Sequence, residues 1–261
     1  MKWKFGITDE RYFEFNKETQ TITKYDRSGG GIVFIPDFIN GVEVLEIGEG
    51  AFESASLHHV EIPRGVTRIG EYAFWGNNLT SVVIPEGITH MENNAFAYNE
   101  LTSIVIPEGV TRIEDSAFWD NYLISVVIPE SVTHIENYAF WGNGLTSVVI
   151  PGGVTHIGDG AFGGNELTSV VVPGGVTHIG NGAFQGNCLT SVVIPESVTH
   201  IRRCAFDSND LTSVVIPESV THIGDHAFGR NFLTSVVIPE QTEVHPEAFD
   251  EEVEIIRKER S

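Results

Sequence analysis

Nine leucines, Leu57, Leu79, Leu101, Leu123, Leu145, Leu167, Leu189, Leu211 and Leu233, stand 22 residues apart without a slip. A chain with a fixed period of this size builds a stack of one small unit, because a single copy cannot enclose its own apolar faces. The copy at 189–210 reads LTSVVIPESVTHIRRCAFDSND, and its positions are numbered here from 1 to 22. Positions 1, 4 and 6 are apolar throughout, as in Leu79, Val82 and Ile84. Side chains alternate along an extended strand, so residues 4 and 6 share one side of it. Proline follows at position 7 (Pro63 through Pro239) and stops the ladder, since it has no N–H to give.

The second half of the unit completes the enclosure. Positions 10 and 13 are apolar again (Val132, Ile135), which gives a second short inward-facing segment. Ala-Phe at positions 17 and 18 produces the column Phe74, Phe96, Phe118, Phe140, Phe162, Phe184, Phe206 and Phe228. Position 21 is Asn in each copy from Asn77 to Asn231. Stacked at the ~4.8 Å strand spacing, each column becomes a continuous ladder. The Phe column is expected to fill the core. The Asn column is expected to turn inward and hydrogen-bond the backbone freed at a corner.

The string L-x-x-V/I-x-I-P-x-x-V-x-x-I-x-x-x-A-F resembles the bacterial BspA-like leucine-rich repeat family, also called the Treponema pallidum type, over about residues 20–249. The stretch from Ile22 through Ile32-Val33-Phe34-Ile35-Pro36 to Ala51-Phe52 resembles that family's entry unit. At position 21 the chain carries Asn where many family members carry Cys. The resemblance implies a right-handed leucine-rich-repeat coil of 22-residue units, mainly β with short turns or 3-10 segments and capped at both ends. It also implies a secreted or surface-exposed protein active in adhesion.

The expected divisions are an N-terminal capping hairpin over 1–31, a solenoid over 32–249, and a C-terminal capping strand with a charged tail over 250–261. Within the solenoid, 32–56 is an irregular first unit, 57–232 holds eight regular units, and 233–249 is an irregular last one. Both ends depart from the repeat, which is how a solenoid shields an open edge, and the chain reads as a complete domain. The N-terminus turns polar at Thr8, Asp9, Glu10 and Arg11 and shows no secretion signal, so the sequence alone suggests a cytoplasmic chain.

Charge narrows the partners. With 15 Lys+Arg against 36 Asp+Glu the net charge is −21, and no Lys occurs between Lys24 and Lys258. Nucleic acid is excluded as a partner, because phosphate binding depends on clustered cations. No apolar run approaches the ~20 residues of a membrane span, so membrane insertion is not expected. Cys188 and Cys204 form neither a disulfide framework nor a zinc spacing. No nucleophile elbow, phosphate loop or His-Glu-x-x-His occurs. Glu86, Glu108, Glu130, Glu196 and Glu218 share position 8, and a duplicated column cannot supply the two unlike carboxylates of acid–base catalysis. No enzyme, cofactor or metal site is expected.

Three surfaces remain. Positions 3 and 5 face away from the core and form the candidate concave binding face: Ser81, Val83, Ser103, Val105, Ser125, Val127, Ser147, Val149, Ser169, Val171, Ser191, Val193, Ser213 and Val215. With Val237 the valines make an apolar strip about 34 Å long, of a kind that marks a partner site. Trp75, Tyr98, Trp119 and Trp141 form a candidate aromatic edge, which Tyr72 and Tyr138 are placed to join. Position 12 stacks His134, His156, His178, His200 and His222 as a solvent-facing row with neighbours ~5 Å apart. Repulsion along the row should lower the imidazole pKa values, unless the carboxylates at position 8 reach it and raise them. The leading function is a non-enzymatic protein-binding module, for adhesion or interaction, with a protein of unknown identity or the chain itself as partner. A self-associating structural protein and a carbohydrate binder using the Trp/Tyr edge are the alternatives.

Overall fold

The computed structural model describes residues 6–258. Residues 1–5, part of the N-terminal stretch considered for a secretion signal, and residues 259–261, the end of the charged tail, lie outside the described residues. The chain winds into a β-solenoid of about 11 turns with almost no helix. Its two short 3-10 helices, Glu10–Tyr12 and Arg27–Gly29, precede the repeats, and the repeat corners are turns.

Each turn contributes to two walls. One wall carries the position-12/13 strands, which pair in parallel from Arg112–Ile113 through His134–Ile135 to Glu243–Val244. A separate five-stranded sheet on the same wall runs from the hairpin Phe13–Asn16 and Thr21–Tyr25, where Ile22 pairs with Ile47, to His90–Met91, and is not paired with Arg112–Ile113. The other wall carries strands at positions 3 to 5, and here the ladder is interrupted. Ser103–Val105 pairs with Ser125–Val127 and Ser169–Val171 with Ser191–Val193, while His59–Glu61 pairs with Ile32–Phe34. Among the described residues, the coils that begin at Leu79, Leu145 and Leu211 carry no strand on this wall. The heptapeptide LTSVVIP is identical at 189–195, which is paired, and at 211–217, which is not, so local sequence does not set the alternation. The C-terminal strand Glu254–Lys258 pairs with Ser235–Pro239.

The core lies between the walls. Phe52 through Phe228 are at most 1% exposed, and the rings stack at 5.1–5.9 Å from Phe52 to Phe249. Tyr25 continues the stack at the N-terminal end, 5.2 Å from Phe52. The Asn column turns inward as expected. Asn165 Oδ1 accepts the Leu145 N–H at 3.1 Å, while its Nδ2 donates to the Phe140 and Phe162 carbonyls at 3.0 and 3.1 Å. All eight copies from Asn77 to Asn231 make this same set of bonds. Positions 16 and 20 supply the bends: Tyr138 (φ 56°), Asp120 (φ 50°) and Gly186 (φ 62°) all lie in the left-handed region.

Candidate functional site

The position-5 valines point to solvent. Val105, Val127, Val171 and Val193 are 57–64% exposed, whereas Val83, Val149 and Val215 in the unpaired coils are 80–82% exposed. The strip is therefore not the uniform one the repeat suggested. It alternates between paired strands and raised single coils. Ser81, Ser103, Ser125, Ser147, Ser169, Ser191 and Ser213 flank the valines and are also exposed. Near the N-terminal end, a hollow of about 660 Å³ opens between His59–Glu61 and the unpaired coil, lined by Phe34, Val60, Val83 and Pro85.

The aromatic edge is continuous over four coils. Trp75 meets Tyr98 at 5.5 Å, Tyr98 meets Trp119 at 5.1 Å, Trp119 meets Tyr138 at 6.3 Å, and Tyr138 meets Trp141 at 5.8 Å. Trp141 ends the run by lying over the next coil, where a Cβ on Gly163 would come within 2.1 Å of its ring. Tyr72 lines a hollow of about 470 Å³ with Trp75, Tyr98 and Trp119. Glu53 and Asn94 complete its wall. The periodic pattern did not reveal these two, because they are not position-column residues of one type. Burial, and then the charge of Asp120, raise the Tyr98 phenol above its ordinary value.

The histidine row is split. His178, His200 and His222 stack at 4.5 and 4.4 Å, and His134 and His156 form a looser pair at 5.8 Å. Each of His134, His178, His200 and His222 places Nδ1 at 2.8–2.9 Å from the hydroxyl of the preceding threonine. The carboxylates that reach the row are not those of position 8. Glu136 Oε2 lies 3.6 Å from His156, and Glu243 Oε2 lies 3.2 Å from His222. Burial is the first cause lowering His134, His178 and His200, with Arg112, Arg202 and His178 next in turn. Repulsion between imidazoles is a secondary cause, not the leading one.

The model of the BspA type leucine rich repeat region matches six copies, over residues 37–146 and 133–255. The chain belongs to the BspA-type leucine-rich repeat family. No curated protein matches it. Among solved structures, a leucine-rich repeat protein from Eubacterium ventriosum is 20% identical, with 92% of this chain and 78% of that chain covered and a TM-score of 0.57. The leucine-rich repeat protein of T. pallidum is 26% identical over 75% of this chain and 81% of that one, with a TM-score of 0.47. A leucine rich cell surface protein from Faecalibacterium prausnitzii is 25% identical over 93% and 92%, also with a TM-score of 0.47.

Among the other reactive groups of this BspA-type coil, Cys188 is free and exposed. Burial raises the Cys204 thiol, which works against a thiolate nucleophile. Asp225, His226 and Glu247 bring ligand-type atoms within 4.8 Å of one another. They are held by their own contacts: His226 Nδ1 bonds Asp225 Oδ1, and Arg203 Nε lies 3.2 Å from Asp225 Oδ2. Among the described residues no helix is long and apolar enough to cross a membrane.

Proposed function

We propose that this BspA-type repeat is a non-enzymatic protein-binding module that docks a partner protein, in adhesion or a related contact, on its strand face. The observation that carries the reading is the file Val83, Val105, Val127, Val149, Val171, Val193 and Val215, each more than half exposed on one face. A buried file would need no partner, whereas an exposed apolar file of this length supports a docking role. The serines beside it offer hydroxyls for the polar rim that such interfaces carry. The family setting favours the cell surface as the place where this face works.

The test is the triple change Val149→Ser, Val171→Ser, Val193→Ser. These side chains project from the core, so the unfolding midpoint should stay close to that of the parent. Capture of surface proteins by the immobilised chain should be lost. Capture that persists unchanged would overturn the strand face as the docking site. Light scattering over a concentration series, with no partner added, distinguishes self-association: a concentration-dependent dimer abolished by the same variant would replace the foreign partner by a second copy.

A further inference from the structure

The hollow under the aromatic edge has its own chemistry, independent of the strand face. Three of its walls are the rings of Trp75, Tyr98 and Trp119, and Tyr72 supplies a fourth. Successive rings are steeply inclined, by 65° between Trp75 and Tyr98 and by 52° between Tyr98 and Trp119. Rings inclined in this way present no single flat platform across several coils. Inclined rings do offer several negative π-faces to one cation, which is attracted to any ring whose face lies within ~6 Å.

The charge around the hollow agrees. Glu53 contributes a carboxylate to the wall, and among the described residues that carboxylate has no ion-pair partner. Arg27 donates to the Glu53 main-chain carbonyl at 3.1 Å, not to its carboxylate. Tyr98 also lines the adjoining hollow with Glu100, Asp120 and Glu166, so the carboxylates on this face add to the attraction for a cation. The chain as a whole carries −21. We propose that Tyr72, Trp75, Tyr98, Trp119 and Glu53 form an aromatic cage for an organic cation of the alkylammonium or guanidinium class. The apolar walls suit alkyl groups, and Glu53 supplies the counter-charge that a desolvated cation requires.

Titration calorimetry with tetramethylammonium chloride on the whole chain tests the cage, with tert-butanol as an uncharged control of similar shape. Saturable one-to-one binding of tetramethylammonium is expected, with tert-butanol weaker by about tenfold or more. Glu53→Gln keeps the shape and removes the charge, and should weaken binding about tenfold. Tyr98→Leu removes one wall and should abolish it, with circular dichroism and the unfolding midpoint showing that the coil is intact. Equal binding of tert-butanol, no saturable binding of tetramethylammonium, or binding untouched by either variant would overturn the cage. Acetylated trimethyl-lysine amide and acetylated arginine amide separate the sources. Tighter binding of either than of tetramethylammonium supports the cage with a partner's side chain as ligand, and the reverse order supports it with a free ammonium compound.

Discussion

At the residue scale, the Asn column shows how a polar side chain can hold an apolar core together. Asn165 is buried, and its amide satisfies one backbone N–H and two Phe carbonyls in adjacent coils, with a further bond to the Gly163 carbonyl. Asn165→Ala strands the Leu145 N–H at a corner closed to water, where an unmet buried group costs about 1–3 kcal/mol, while the Phe140 and Phe162 carbonyls keep their bonds from Asn143 and Asn187. The expected loss is therefore smaller than the roughly 3–5 kcal/mol for Phe140→Ala, which empties a place in the ring stack. Denaturant unfolding of both variants checks the order. A near-neutral Asn165→Ala would mean that the Leu145 N–H finds another acceptor. The periodicity made this column legible, because Asn repeated beside a Phe core has few other uses. The left-handed bends were only half legible: Gly142, Gly164 and Gly186 mark position 20, but Tyr98, Asp120, Ser208 and Arg230 adopt the same φ without being glycine.

At the scale of the element, the position-12 strands carry the pH response. His134, His178 and His200 have folded pKa values below the ordinary imidazole value, burial being the first cause. A depressed folded pKa means that the unfolded chain takes up more protons as pH falls through ~6.5. The stability tied to these three is thus present above about pH 6.5 and is lost as pH drops through their folded values. His226 runs the other way: its bond to Asp225 raises it, so its contribution is present below about pH 6.5 and is lost as pH rises through its folded value. Ring-proton NMR should show His134, His178 and His200 titrating below His226, and His226→Gln should steepen the fall in stability on the acid side. All four titrating together would contradict the split. The existence of the row was legible from Thr-His repeated at positions 11 and 12. Its partners were not, because Glu136 and Glu243 come from positions that carry other residues in most coils. The broken strand ladder was illegible for a stronger reason: identical heptapeptides take both forms.

At the scale of the whole molecule, the stack concentrates charge as well as apolar surface. A net charge of −21 is distributed along a solenoid in which each coil sits one strand spacing from the next. Like charges recur at that short interval and repel. The surface ion pairs that oppose this, such as Arg68 with Glu92 at 2.8 Å, are exposed and worth little. Raising ionic strength from about 0.05 to 0.5 M shrinks the screening length severalfold and should raise the thermal midpoint by a few degrees. Scanning calorimetry checks the sign. A midpoint that falls with salt would show that the ion pairs outweigh the repulsion.

The Asn bonds also give the molecule a direction in time. Leu145 N–H is met by Asn165, so this donor waits for a side chain made 20 residues later, which also adds a second bond to the Phe140 carbonyl that Asn143 already holds. The Phe N–H donors reach forward too, with Phe140 donating to the Ala161 carbonyl at 2.9 Å. A nascent chain leaving the ribosome therefore always carries one unlatched corner at its growing end. If the coils close in chain order, each newly made Asn latches the corner before it and leaves the next one open.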